Sequence, residues 1–195
     1  MNVLDREAGE HRQTTYPIDD IFLERWSPRA MRGEPIEEEE LLRLFEAARW
    51  APSSYNGQPW RFVYALRGGE GWDRLYDLLV DFNQQWAEQA GALVVVLSRR
   101  TFEHNGEPSR THSFDTGAAW QNLALQGHSA GLVVHAMEGF DYDEARRVLE
   151  LDDDMEVEAM VAIGKPGEIE ALPGDLEERE TPSDRKPLDE IVQRI

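Results

Sequence analysis

Two arginines and a serine near the N-terminus have side chains that suit binding chemistry. Arg25, Ser27 and Arg29 place two guanidinium groups and a hydroxyl around the end of a short predicted helix. A guanidinium group is a rigid fork of donors that matches the oxygens of phosphate, so the pattern predicts an anion site. A simpler interpretation also fits these residues, in which the arginines form surface ion pairs with Glu24 and Glu34.

A polar loop supplies the second candidate group. Residues 52–60 read PSSYNGQPW. Their short polar side chains can hydrogen-bond a polyol or a ring carbonyl, while the two prolines stiffen the backbone that presents them. The alternative is a helix-to-strand connection whose own side chains cap its backbone.

A hydrolase and a metal site are both disfavoured. Gly127, Ser129 and Gly131 match the G-x-S-x-G pattern of a nucleophile elbow, which needs a strand before the serine and a helix after it. Here a helix is predicted before Ser129 and a strand after it, so the glycines are better explained as a helix end and a turn. There is no cysteine, and the histidines lack metal-ligand spacing, so redox chemistry would need a borrowed cofactor.

Hydrophobic periodicity and helix-end signals predict the elements that position these groups. Helices are expected over residues 21–26, 37–48, 72–80, about 113–129 and 141–150. Strands are expected over residues 60–66, 92–98, 132–137 and 155–163. The run from Leu93 to Leu97 is apolar without alternation, which is typical of a strand covered by helices on both faces. The pattern predicts an α+β fold with a mixed central sheet flanked by helices.

Length and composition favour one domain. The 195 residues are 41% hydrophobic, which suits a single core. Residues 1–17 are interpreted as a loosely structured arm that can still pack, and residues 18–195 as one domain with a C-terminal extension. No run approaches eighteen apolar residues, and the first thirty residues carry acidic side chains instead of a signal core. We therefore expect a cytoplasmic protein with no membrane partner.

The charge is strongly acidic. Asp and Glu number 39 against 20 Lys and Arg, a formal net charge of −19, which argues against a nucleic-acid partner. Lys165 and Lys186 are the only lysines. An acidic, lysine-poor surface suits solubility in concentrated salt, so a salt-loving source is one hypothesis. The other is an acidic protein from a genome that favours arginine codons.

In order and spacing, these motifs together resemble the nitroreductase family. Arg-x-Ser-x-Arg at 25–29 is followed by an apolar helix ending in Ala-Pro-Ser-Ser at 51–54, and then by Asn-x-Gln-Pro-Trp at 56–60. The likeness continues through Asn83 and the Met-Glu-Gly-Phe sequence at 137–140 to Arg185, and covers residues 18–190. No single motif is specific, but their combination is.

The resemblance implies an FMN-dependent oxidoreductase that forms an intertwined homodimer with two FMN sites at its interface. It implies a ping-pong reaction in which NADH or NADPH delivers a hydride to flavin N5 and leaves, and a nitroaromatic, a quinone or a similar flat acceptor replaces it. The flavin carries this chemistry, so no catalytic side chain is expected. A dehydrogenase or dehalogenating reductase of the same fold, and a non-catalytic FMN-binding protein, are alternatives.

The family's cofactor contacts can be transferred by position. Arg25, Ser27 and Arg185 would hold the FMN phosphate, and Arg29 would reach the pyrimidine end of the ring, where a positive charge stabilises the reduced, anionic flavin. The remaining predicted cofactor-binding residues are Trp26, Pro52, Ser53, Ser54, Asn56, Asn83, Met137, Glu138 and Gly139. Pro52 to Asn56 would act from the partner subunit, Asn83 would bind the polar edge of the ring, and the backbone N–H groups of Glu138 and Gly139 would point at N5 and O4.

This chain departs from the family at three positions. Trp26 stands where a second basic residue or a histidine is common, and Trp86 and Ser183 stand where some members have lysine. Lys186 could compensate for the missing phosphate-binding lysine. The chain also lacks room for the long excursion that covers the substrate pocket in some members, so an open site is expected.

Overall fold

A four-stranded sheet forms the centre of the computed structural model, which describes residues 1–5 and 8–195. Its strands are β1 Trp60–Leu66, β2 Ala92–Arg99, β3 Val133–Met137 and β4 Met155–Gly164. They lie side by side in the order β1-β2-β4-β3, and each neighbouring pair is antiparallel. Strands β1 and β3 are therefore the two edges of the sheet.

Helices cover both faces of this sheet. They are α1 Ile21–Glu24, α2 Glu38–Ala48, α3 Trp72–Tyr76, α4 Asp81–Ala87, α5 His112–Ser129, α6 Tyr142–Val148, α7 Leu176–Arg179 and α8 Leu188–Ile191. Leu93, Val95 and Leu97 face the layer that contains α3, α4 and α6, whereas Val94 and Val96 face α2 and α5. The prediction of a strand covered on both faces is confirmed. In the part of the chain described, no helix is long and apolar enough to cross a membrane.

The C-terminal end of α5 explains the two glycines of the rejected hydrolase pattern. Gly131 has φ +72°, and its N–H donates to His128 O while the N–H of Leu132 donates to Gly127 O, both at 2.9 Å. This pair of bonds is a Schellman motif, in which glycine suits the left-handed residue. Ser129 is the last residue of the helix, so the strand-serine-helix order of a nucleophile elbow is absent here.

The α+β class is confirmed, but the sheet is antiparallel, not mixed. β2 and β3 run in the same direction and would form a parallel pair if they were neighbours. β4 lies between them and pairs antiparallel with each. The spatial order of the strands, which hydrophobic periodicity does not encode, decides this point.

The helix predicted over 72–80 is shorter than expected, and α4 was not predicted. α3 ends at Tyr76 because the backbone beyond it bonds to the segment after β3. Val80 N–H donates to Gly139 O at 3.2 Å and Asp141 N–H to Leu78 O at 2.9 Å. These long-range bonds replace helical ones, and α4 then starts afresh at Asp81.

Part of the N-terminal segment packs on the core, which the interpretation of these residues as an arm that can still pack allowed. Val3 and Ala8 are fully buried in the core, and Val3 N–H donates to Gly167 O at 2.9 Å. The segment predicted as an arm also includes residues 6 and 7, which lie outside the described residues. Burial of these two apolar side chains holds residues 3 and 8 against the core.

Two glycines of α5 provide a matched test of how closely this helix packs on the sheet. A Cβ on Gly127 would lie 2.3 Å from Val134 Cγ2 and 3.3 Å from Leu44 Cδ2, whereas a Cβ on Gly117 would meet nothing within 4 Å. We expect Gly127→Ala to lower the free energy of unfolding by about 1–3 kcal/mol through overpacking. Gly117→Ala should raise it by about 0.5–1 kcal/mol, because alanine is the better helix former. Urea denaturation of both variants measures this, and equal shifts would contradict the close contact.

Candidate functional site

The predicted arginine-serine group comes together where α1 ends. The helix stops at Glu24, and Arg25 continues in an extended conformation. Arg25 Nη1 then donates to Ser27 Oγ at 3.2 Å. The guanidinium and the hydroxyl are therefore adjacent, as an anion site requires.

A third arginine, which the sequence did not single out, joins this group. Arg12 donates from Nη1 to Leu23 O at 2.5 Å and to Arg25 O at 2.9 Å, and from Nε to Ser183 O at 3.1 Å. It thereby ties the N-terminal segment and the C-terminal tail to the end of α1. Arg12, Arg185 and Lys186 line one open cavity of about 680 Å³.

Three arginines of this cluster act on one another, and the carboxylates of Glu24 and Asp184 act on Arg12. Burial lowers the pKa of the Arg25 guanidinium, and the positive charges of Arg12 and Arg185 lower it further. Of the described carboxylates, none forms an ion pair with these three arginines. Three guanidinium groups that repel one another, with no ion pair to a carboxylate among the described residues, form a site that a phosphate would stabilise.

Arg29 is held differently, by a buried carboxylate in the C-terminal tail. Glu180 is fully buried and accepts hydrogen bonds from the backbone N–H of Ala30 at 3.0 Å, from the backbone N–H of Arg29, and from Arg29 Nη1 at 3.2 Å. Arg29 Nε is buried without a hydrogen-bond partner. The ion pair fixes the guanidinium beside the segment and leaves one donor for a ligand.

His135 of β3 contacts the segment that carries Ser27 and Arg29. Its Nδ1 lies 3.0 Å from Pro28 O, which can only accept, so Nδ1 carries the proton. Burial lowers the pKa of His135 to about 4, against the opposing effect of the Pro28 bond. The ring packs on Trp86, with centroids 4.6 Å apart. A neutral histidine therefore fixes the carbonyl between Ser27 and Arg29.

The predicted ring contacts meet at the end of β3. Asn83 Nδ2 donates to Gly139 O at 2.9 Å, and a Cβ on Gly139 would lie 2.7 Å from that nitrogen. The position therefore needs glycine, and Glu138 beside it is exposed. Trp26 and Met137, also predicted to bind the cofactor, have side chains buried in the core, so their contacts would have to come from the backbone.

The polar loop is held by its own residues and by α5. Gln58 N–H donates to Ser53 Oγ at 3.0 Å, and Ser54 N–H donates to Asp115 Oδ2 at 3.0 Å. Pro52 and Asn56 are exposed. The Ser53 side chain caps the backbone of its own loop, as expected for a helix-to-strand connection. The loop still presents polar groups outward, as expected for a ligand-binding loop.

Helix α5 separates the loop from the arginine cluster. The loop is bonded to Asp115 in the first turn, whereas the charges of Glu24 and Arg25 act on the pKa of His128 in the last turn. Thirteen residues of helix (128 − 115) span about 20 Å. The polar loop and the arginine cluster, which were both predicted to bind the cofactor, therefore do not adjoin within one chain.

A second polar cluster resembles a catalytic triad but is closed to substrates. β4 has a bulge at Glu158, since Val96 pairs with Ala159 and Leu97 with Val157. The bulge brings Glu158 Oε1 to 2.5 Å from Ser98 Oγ, which is 2.7 Å from His112 Nδ1. Ser98 is fully buried and cannot serve as a nucleophile. Among the described side chains, no group of three or more His, Asp or Glu could hold a metal.

Comparison with known proteins gives a consistent result. The family model described as the Nitroreductase family matches residues 23–85 and 78–165. A solved structure described as an oxidoreductase containing FMN is 49% identical, with a TM-score of 0.90 and 93% of each chain covered. A nitroreductase family protein from Clostridium difficile is 25% identical, with a TM-score of 0.65, and covers 87% of this chain and 92% of its own. An NADH dehydrogenase of Thermus thermophilus is 27% identical over 92% of this chain and 98% of its own.

The anchor of the polar loop can be tested at Asp115. Asp115→Ala leaves the N–H of Ser54 and the hydroxyl of Thr111 without their acceptor. We expect a loss of about 1–3 kcal/mol in the free energy of unfolding and faster proteolysis within residues 52–58. Thr111→Val is the control, because it removes one donor and keeps the Ser54 bond. Wild-type proteolysis of the loop in Asp115→Ala would contradict the anchoring.

The partly buried His135 predicts how stability depends on pH. In the unfolded chain His135 titrates near 6.5, whereas in the folded protein it stays neutral down to about 4. The unfolded state binds the extra proton between these values, so stability falls as the pH drops through them. From pH 7 to pH 4.5, His135→Gln should lose roughly 2–3 kcal/mol less than wild type in urea denaturation. The exposed His104→Gln should lose as much as wild type, and an identical loss in all three proteins would refute the assignment.

Proposed function

The chain belongs to the nitroreductase family, and from this premise we propose that it is an FMN-dependent oxidoreductase. It takes reducing equivalents from NADH or NADPH and delivers them to a flat acceptor such as a nitroaromatic or a quinone. The observation that carries the proposal is the cluster of Arg12, Arg25 and Arg185. A protein with a net charge of −19 here gathers three arginines whose positive charges act on one another.

The residues present fit the cofactor. A phosphate would supply the negative charge that the arginine cluster lacks, and Ser27 Oγ lies beside Arg25 to share the contact. Arg29 Nε and Trp86 Nε1 are buried donors without partners, and ring carbonyls could use the former. The relative that is 49% identical is described as containing FMN, which supports the same cofactor here.

Different residues would contact the phosphate and the ring of the cofactor in this proposal. Arg25, Ser27 and Arg185 would hold the FMN phosphate, and Arg29, oriented by Glu180, would contact the pyrimidine end of the ring. Asn83 and Gly139 face the polar edge of the ring. When bound, FMN would supply the redox chemistry between the reduced nicotinamide and the acceptor. The protein then needs no nucleophile of its own, and its contribution is binding, orientation and a positive field.

We further propose that the site is completed by a second copy of the chain. The polar loop lies about 20 Å from the arginine cluster along α5. Both groups were nevertheless predicted to contact the same cofactor, the loop through Pro52, Ser53, Ser54 and Asn56. In a symmetric dimer each loop would face the cluster of the other chain, which gives two equivalent FMN sites. The exposure of Pro52 and Asn56 supports a role in contacts outside their own chain.

The nicotinamide and the acceptor define the remaining chemistry. The Thermus thermophilus relative is named an NADH dehydrogenase, which favours NADH as one donor. The proposed ping-pong order has the nicotinamide leave before the acceptor binds, so both use one slot. Assays of the purified protein with both nicotinamides and a panel of nitroaromatics, quinones and halogenated aromatics separate this proposal from a dehydrogenase or a dehalogenating reductase. An FMN-binding protein without any turnover would be a carrier.

Arg25 provides the direct test of the cofactor assignment. Arg25→Ala should raise the dissociation constant for FMN about 10- to 100-fold, because charge-assisted bonds to phosphate are lost. The control is Arg43→Ala, which removes the same charge from an exposed pair with Glu39 on α2 and should leave FMN binding unchanged. Flavin fluorescence titration measures both constants, and circular dichroism checks the fold.

The two ways in which this test can fail are distinct. A wild-type protein that is colourless and does not shift the visible spectrum of added FMN would refute the proposed function. FMN binding by the wild type with an unchanged constant in Arg25→Ala would refute only the role of this arginine.

A further inference from the structure

Tyr55 has an unusual backbone conformation for a large side chain. Its φ is +52°, in the left-handed region that bulky residues rarely adopt. Asn56 follows with φ +54° and Gln58 with φ +46°, although asparagine tolerates this region better. Such strain persists only where the surrounding structure holds it, and it gathers at functional sites. The Ser53 and Asp115 bonds described above hold this loop.

The strained backbone of Tyr55 directs its aromatic ring toward solvent. Tyr55 is 86% exposed, so burial of the ring does not account for its conformation. The ring is nevertheless fixed in position, because Phe102 meets it edge-on with centroids 5.7 Å apart, and His104 packs against Phe102 at 5.5 Å. An exposed ring that is supported from behind can act as a rigid contact surface.

An open cavity lies beside this ring. It has a volume of about 690 Å³ and is lined by Tyr55, Asn56, Gln58, Trp60 and Arg61, among others. The volume suits a small aromatic molecule. Ser54 and Asn56, the neighbours of Tyr55 in sequence, belong to the loop that faces the second FMN site in the proposed dimer.

We propose that Tyr55 is a specificity-determining residue, whose ring stacks on the flat acceptor and holds it beside the flavin of the site across the dimer. This inference rests on the proposed function and names a residue for substrate choice. Nitroaromatics and quinones are electron-poor rings, and a phenol ring offers them a face of opposite electrostatic character in an offset stack. An acceptor that is not flat gains nothing from such a surface.

The test compares acceptors in three variants of the full-length, FMN-loaded protein. Tyr55→Ala and Tyr55→Gly should lower kcat/KM for nitrobenzene and for 1,4-benzoquinone about fivefold, mainly through KM, since an aromatic stack contributes on this scale. Tyr55→Phe keeps the ring and should retain wild-type values. Ferricyanide, which does not stack, should be reduced by all variants with unchanged kinetics.

A second readout reports the strain without using activity. Tyr55→Ala keeps the left-handed strain and Tyr55→Gly releases it, so the glycine variant should have the higher urea midpoint although both lack the ring. Glu150 is a matched control because it has φ +51° and lies outside the site. Glu150→Gly should likewise have a higher midpoint than Glu150→Ala, with no change in acceptor kinetics.

Several results would overturn the inference. Unchanged kinetics with flat acceptors in Tyr55→Ala would remove the stacking role while leaving the proposed function intact. An equal loss with ferricyanide would show a general defect, and a fall in mass by light scattering would show that Tyr55 serves dimer contact instead. A wild-type protein that neither binds FMN nor reduces any acceptor would remove the proposed function as well.

Discussion

Helix α5 sets the distance between the two groups of residues that make this chain a candidate flavoenzyme. Its first turn carries Asp115, which holds the polar loop, and its last turn carries His128, which lies in the field of Arg25. The helix is rigid because Gly127 brings it into close contact with Val134 and a Schellman motif ends it. The polar loop and the arginine cluster cannot approach each other without breaking this packing, which supports the proposal that a second chain completes the site.

The two ends of the chain set the electrostatics of the arginine segment. Arg12 and Arg185 reach Arg25 from the two ends of the chain, while Glu180 from the same C-terminal tail compensates Arg29. The segment therefore has one part where three arginines act on one another and a neighbouring part where a carboxylate compensates Arg29. His135 stays neutral between them because burial opposes its protonation. Concentrating positive charge in this way is compatible with an acidic surface, since a local cluster can override the global field.

Local patterns predicted the elements well and their spatial order poorly. The apolar run 93–97 and the alanine-rich helix that became α5 carry strong periodic signals, and both are confirmed. The sheet is antiparallel instead of mixed because β4 inserts between β2 and β3, a tertiary choice that no local pattern encodes. Residue chemistry pointed to Arg25 and Ser27, and the family resemblance added Asn83 and Gly139. The structure places the first two together and the last two together. Arg12, Asp115 and Glu180 were missed, because each acts on a residue distant in sequence: Ser183, Ser54 and Arg29 lie 171, 61 and 151 residues away, respectively.

The most direct measurement of the two-chain site is FMN binding by a mixed dimer. One chain carries Arg25→Ala with an intact loop, and the other carries Ser54→Ala and Asn56→Ala with an intact arginine cluster. If each site combines the cluster of one chain with the loop of the other, purified heterodimers regain one wild-type FMN site, although neither homodimer has any. If both walls of a site came from one chain, the heterodimer would bind FMN no better than the two parent homodimers, and the two-chain site would be wrong.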